Sequence, residues 1–159
     1  MRVMDVSILI GSVLAQLTAY DGNENLRETA LRLTRFVVNC QTFEGAWYYT
    51  DPPEESPVKI DNYHTGFILD ALKRVIDALE MDEWKDNYFK GVDFYASHLF
   101  NADGSPRWRS DKDFPHDIHG AAQGILTFVR PENSSRFPSL AKKIVTWALS
   151  NMYNPQGKF

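Results

Sequence analysis

The chain has 159 residues, 43% of them hydrophobic and 24% charged, with a net charge of −4 and a pI near 5.5. That length and balance describe one domain, residues 1–159, able to bury a core, and exclude a disordered polymer. The acidic balance argues against nucleic acid or an anionic membrane as partner, and the single cysteine, Cys40, excludes an internal disulfide and leads us to expect a reducing, cytoplasmic setting.

Val3 to Tyr20 reads as a helix with almost no charge beyond Asp5, apolar on nearly all sides and so expected to be buried. Its apolar run, Ile8 to Leu17, is broken by Gly11, Ser12 and Gln16 and is too short to span a bilayer. Asp5 inside the apolar segment and the lack of a clear cleavage site argue against a signal peptide. Asp21-Gly22-Asn23 is a turn, with Asn23 or Asn25 capping the next helix. That helix sets Leu26, Ala30, Leu33 and Val37 on one face and Arg27, Glu28, Arg32 and Arg35 on others, and ends near Cys40-Gln41. Ala46 to Thr50 suggests a short strand, and the three prolines between Asp51 and Pro57 forbid helix, so Gly45 to Lys59 is a long loop.

A third helix runs from about Asp61 to Glu80, with Ile68, Leu72, Val75, Ile76 and Leu79 at helical spacing. Asp82 is the expected cap of a fourth, Glu83 to about Phe100. A second loop follows, from Asn101-Ala102-Asp103-Gly104 to Phe114. A nearly uncharged helix spans His116 to Val129, and Arg130-Pro131-Glu132-Asn133 is read as its break. A final amphipathic helix covers roughly Pro138 to Met152, before the turn Asn154 to Phe159.

The chain repeats itself. Asp5, Asn62 and Asp117 coincide in register, as do Ser7, His64 and His119, each set opening an apolar helix. Phe36 to Gly45, Phe94 to Gly104 and Trp147 to Gly157 each run from an outer-helix aromatic to a turn glycine. The units, approximately 1–45, 46–104 and 105–157, are each one helical hairpin, too long for a tetratricopeptide repeat. The fold expected is all-α: an α/α-toroid-like array of three hairpins, about six helices, with long aromatic loops between them. Apolar helices would line an inner ring with their N-termini on one face, where unpaired N–H groups and the helix dipole favour polar ligands. That face would collect the repeated Asp/Asn and Ser/His residues, with Trp47, Tyr48, Tyr49 and Trp108 on its rim as stacking surfaces for a sugar.

Arg35 to Trp47, a helix ending in Gln41 followed by Gly45-Ala46-Trp47, resembles the repeat motif of terpene cyclases and prenyltransferases, which are α/α toroids. Six-hairpin glycosidases, uronyl hydrolases and sugar epimerases are similar in architecture. Gly45-Ala46-Trp47-Tyr48-Tyr49, Asp61-Asn62-Tyr63-His64-Thr65-Gly66 and Asp117-Ile118-His119 together look most like poorly characterised toroid proteins associated with polysaccharide biosynthesis. A closed toroid of that class has about six hairpins, so the resemblance implies a partial toroid: a piece of a longer protein, or a subunit completed by association. The Asp-x-Asp-Asp type cluster of terpene cyclases is absent from the sequence, and Cys40 has no neighbouring Asp to form the prenyltransferase zinc set.

The expectation is a protein that binds or modifies a saccharide, a uronate being one candidate. One of His64 and His119 would move a proton and Asp61 or Asp117 would orient it. Trp47, Tyr48, Tyr49, Tyr63, Trp108 and Arg109 would bind substrate. No cofactor and no metal is expected, since no close-spaced ligand motif joins His64 and His119. Plainer roles stand beside these: both histidines and both aspartates as helix caps, Trp47 and Trp108 as fillers between hairpins, Arg107 and Arg109 as a solvated pair. Two alternatives to the saccharide reading remain: a non-catalytic module that completes a toroid with a partner, and a terpenoid or prenyl-transfer toroid.

Overall fold

The computed structural model describes residues 1–156. The turn glycine Gly157, with Lys158 and Phe159, lies outside the described residues. A two-stranded antiparallel pair, β1 (Arg2–Val3) and β2 (Thr50–Asp51), ties the start of the chain to the first long loop. Helix α1 spans Met4–Asp21 and α2 Glu24–Asn39. Helix α3 spans Asn62–Leu79, α4 Lys85–His98, α5 Ile118–Phe128, α6 Pro131–Arg136 and α7 Leu140–Asn151.

Local chemistry sets most of these boundaries. Asn23 caps α2 by accepting from the backbone N–H groups of Asn25 and Leu26, and Asp61 and Asp117 cap α3 and α5. Gly22 ends α1 at a φ of 71°, a left-handed turn where glycine carries no Cβ penalty. Four expectations are corrected. The strand anticipated at Ala46–Thr50 is confined to Thr50–Asp51, because only these residues meet β1. Asp82 opens a 3₁₀ turn, Asp82–Trp84, and makes no side-chain cap for α4. Arg130–Asn133 does not merely break α5: Pro131, having no N–H to waste, stands in the first turn of α6. Helix α1 is buried on one side only, through Met4, Ile8, Ala15 and Thr18, while Val6, Ile10, Val13 and Leu17 are about half exposed.

The helices pack as successive pairs. α1 lies on α2, α3 on α4 and α5 on α7, while α1, α3 and α5 pack side by side. The core between them holds Leu69, Leu72, Val75, Tyr88, Tyr95, Leu99, Phe100, Phe128 and Ile144. Tyr95 sits against Phe100 and Phe128 with ring centroids 5.0 and 5.6 Å apart. Asn62 ties α3 to α4 and to the loop that follows α4. Its Nδ2 donates to Leu99 O at 2.5 Å, its Oδ1 accepts from the Tyr95 hydroxyl at 3.0 Å, and its backbone N–H donates to Trp108 O.

The turns after α2 and α4 share one construction. Gly45 N–H donates to Thr42 O and Thr42 N–H to Ala46 O; Gly104 N–H donates to Asn101 O and Asn101 N–H to Ser105 O. Gly45 and Gly104 have φ of 98° and 93°, and a Cβ on either would lie 2.5 Å from the backbone of the next pair's outer helix, at Lys90 and Lys143. Close approach and left-handed φ both require glycine there.

Candidate functional site

The first turns of α1, α3 and α5 come together at one end of the molecule. At α3, Asp61 does two things at once. Its Oδ1 accepts from the backbone N–H of His64 at 3.1 Å, closing the cap, and its Oδ2 lies 2.7 Å from His64 Nδ1. The second contact fixes the imidazole, favouring the tautomer with a proton on Nδ1 and leaving Nε2 as the working atom. The loop after α4 holds Asp61 in place: Asp61 bridges Arg109 through the backbone, and Ser110 N–H donates to Ile60 O.

His64 Nε2 faces Asp5, whose Oδ2 is 3.8 Å away. Asp5 comes from the first turn of α1, where it is 7% exposed, and its Oδ1 has no hydrogen-bond partner. A buried carboxylate oxygen without a donor is costly, and a lone pair on Nε2 facing a carboxylate adds repulsion. A ligand hydroxyl donating to Asp5 Oδ1 would satisfy that oxygen. Two tyrosines cover the imidazole, with ring centroids 4.5 Å (Tyr49) and 4.1 Å (Tyr63) from it. Tyr49 is delivered by the β1–β2 pair and by Met4 N–H donating to Tyr49 O at 3.0 Å. Partial burial raises the Tyr63 hydroxyl pKa above its usual value, and Asp61, Asp117, Tyr49 and Asp5 add to the effect. The hydroxyl therefore stays a donor at neutral pH.

The turn that opens α5, the second to bear a histidine, is built differently. Asp117 Oδ1 accepts from His119 N–H at 2.9 Å and lies 3.0 Å from His119 Nδ1, but the His119 side chain is 74% exposed. Tyr63 stands between the two histidines, 6.3 Å from the His119 ring. Counted from the caps, His119 corresponds to Tyr63 and Gly120 to His64. The register pairing His64 with His119 is thus one residue out, because it aligned side-chain types across turns that begin at different cap positions.

The aromatic rim separates into different roles. Trp47 is buried, its Nε1 donates to Val37 O at 2.9 Å, and its six-membered ring lies against Gly91. It fills the seam between the first and second pairs and has no free face for a sugar. Tyr48 is partly exposed and lines a cleft of about 360 Å³ with Pro53, Ser56, Lys59 and Ser110. Trp108 lines another, of about 390 Å³, with His116, Asp117 and Met152. Arg109 Nε lies 3.0 Å from Asp111, so its charge is already engaged. Asp5 and the imidazole-covering role of Tyr49 are what sequence reading underweighted; the register of Asp5 with Asn62 and Asp117 was the available signal.

Among the described residues, no cluster of three His, Cys, Asp or Glu side chains is placed to hold a metal ion, and no helix is long and apolar enough to cross a membrane. Comparison with known proteins finds no matching family model, no matching curated protein and no matching solved structure.

Proposed function

We propose that the chain binds and modifies a saccharide at the face where α1, α3 and α5 begin, as part of an α/α-toroid-like fold linked to polysaccharide metabolism. The observation that carries this reading is the Asp5–His64–Asp61 array, in which an imidazole oriented by Asp61 stands 3.8 Å from Asp5 Oδ2 while the other oxygen of that carboxylate, Oδ1, is buried without a donor. His64 Nε2 removes a proton from a substrate hydroxyl or activated C–H, and Asp61 stabilises the imidazolium. Asp5 Oδ1 accepts from a neighbouring sugar hydroxyl, while Tyr49 and Tyr63 present aromatic surface and the Tyr63 hydroxyl donates. With Asp5, Asp61 and Asp117 around the site and Arg109 paired to Asp111, a neutral hydroxyl-rich sugar suits the charge better than a uronate.

Calorimetric titration with neutral and uronate oligosaccharides tests the reading. Neutral sugars should bind the parent chain and fail to bind His64→Ala and Asp5→Asn, with both variants still folded. Binding that survives both substitutions, or no binding of any sugar, removes the reading.

A second reading has its own observation. The half-exposed Val6, Ile10, Val13 and Leu17 form an apolar stripe along α1, larger in extent than scattered surface hydrophobics. It favours a module that packs on a partner.

A further inference from the structure

Two of the groups around the His64 imidazole come from outside α3, and one short ladder of backbone carries both. Tyr49 immediately precedes β2, and Asp5 follows β1 by two residues. The strands pair Val3 with Thr50 and Arg2 with Asp51, and Met4 N–H continues the ladder by donating to Tyr49 O at 3.0 Å. Tyr49 and Asp5 thus reach His64 from the two strands of one ladder. The Tyr49 ring centroid is 4.5 Å from the imidazole, and Asp5 Oδ2 is 3.8 Å from Nε2.

A ladder of two residue pairs is marginal by itself, so its placement depends on what pins it. Before Tyr49 the pin is Trp47, buried in the seam with Nε1 donating to Val37 O at 2.9 Å. After Tyr49 comes the buried Thr50, and then the side chains that close the ladder. Arg2 Nη2 donates to Asp51 Oδ2, and the same guanidinium lies 4.4 Å over the Phe36 ring of α2. Arg2 therefore ties β2 to α2 as well as to β1. An exposed ion pair alone contributes little. Here one partner is also stacked on an aromatic face, and the two stand directly opposite in the register, where unlike charges favour pairing. Side chains alternate along an extended segment, and Tyr48 lines the cleft beside Lys59 while Tyr49 covers the imidazole. A swing of the segment about Trp47 would withdraw Tyr49 from His64.

We propose that Arg2 and Asp51 are positioning residues of the His64 site: their bond, anchored on Phe36, holds the β1–β2 register that keeps the Tyr49 ring over the imidazole. They act through Tyr49 and take no part in proton transfer. The inference rests on the saccharide reading for what the site binds, but the placing of Tyr49 is a property of the free chain.

NMR of the free chain tests it. The Tyr49 ring shifts the His64 Cε1–H resonance, and Tyr49→Leu gives the position of that resonance without the ring. Arg2→Asp sets two carboxylates opposite each other and should move the resonance most of the way to the Tyr49→Leu position. Arg2→Asp/Asp51→Arg restores the pair with its charges exchanged and should return the resonance to the parent position. Sugar affinity, read by calorimetry, should fall about two- to tenfold in Arg2→Asp, the range for loss of an aromatic contact, and recover in the exchanged pair. Circular dichroism checks folding; if Arg2→Asp fails to fold, Arg2→Ala carries the test with Arg2→Lys as the conservative rescue. A pair that serves stability alone would lower the thermal midpoint and leave the His64 resonance of the folded chain in place. That result, or an exchanged pair that does not restore the resonance, overturns the proposal. The resonance is read without sugar, so a chain that binds no saccharide removes the saccharide reading and leaves this test standing.

Discussion

The Asp5 carboxylate lies 3.8 Å from His64 Nε2 and keeps one buried oxygen without a partner. A fold that carries such a group forgoes stability, since an unsatisfied buried acceptor costs about 1–3 kcal/mol. Asp5→Asn places an N–H₂ donor opposite Nε2 and removes the charge. We expect it to raise the thermal midpoint, by about 2–4 °C for each kcal/mol recovered in a chain of this size, while abolishing sugar binding. Differential scanning calorimetry alongside titration reads both effects. A lower midpoint would mean that Asp5 is a satisfied structural residue.

Asp61 divides into separable functions because its two oxygens have different partners. Asp61→Asn keeps an oxygen for the cap but can offer an N–H₂ to Nδ1, which turns the imidazole to the tautomer protonated on Nε2. Its stability should stay within about 0.5 kcal/mol of the parent, whereas Asp61→Ala should lose about 0.5–2 kcal/mol with the cap. Both should lose activity. Imidazole nitrogen shifts measured by NMR report the tautomer directly, and an unchanged tautomer in Asp61→Asn would detach Asp61 from the chemistry.

What could be read from the sequence follows from how local each determinant is. The caps Asn23, Asp61 and Asp117 act within three residues of themselves, so residue type and spacing reveal them. Pro131 was equally local but ambiguous, since the same residue ends one helix and opens another. Trp47 was not legible: whether an aromatic after a turn glycine faces solvent or fills a seam depends on Gly91, more than forty residues away. The placing of Tyr49 over His64 likewise rests on strand pairing between Arg2–Val3 and Thr50–Asp51. The repeat was visible, but its register slipped by one from each turn to the next, because Asp5 stands two residues after its cap Val3, Asn62 one after Asp61, and Asp117 is itself the cap.

Two turn glycines with similar backbone angles should respond differently to alanine. Gly22 has φ of 71° and nothing within 4 Å of its missing Cβ; Gly104 has φ of 93° and backbone at 2.5 Å. Gly22→Ala should cost only the left-handed penalty, about 1–2 kcal/mol. Gly104→Ala must also push the turn off α7 and should cost more than about 3 kcal/mol, within the range of severe core changes. Urea midpoints at unchanged slope give both values. Equal losses would mean that the turn does not bear on α7.

Stability should fall at alkaline pH through two buried tyrosines. Burial raises the Tyr88 hydroxyl to about 12, against a partly offsetting hydrogen bond donated by Asn133 Nδ2. Burial holds Tyr95 well above its usual value, with Asp61 adding to it, and only the protonated hydroxyl can donate to Asn62 Oδ1. A pKa raised in the folded state means that the folded chain retains protons the unfolded chain gives up. The stabilisation is therefore complete below about pH 10, the unfolded value, and is lost as pH rises through the folded one. For Tyr88 the loss between about pH 10 and 12 amounts to a few kcal/mol, and Tyr95 adds to it in the same direction. Thermal midpoints should fall steeply over that interval. The phenolate absorbance of these two residues should appear together with unfolding. If every tyrosine titrates while the circular dichroism of the helices is unchanged, Tyr88 and Tyr95 are not sealed in the core and the packing of α4 against α5 is looser than described.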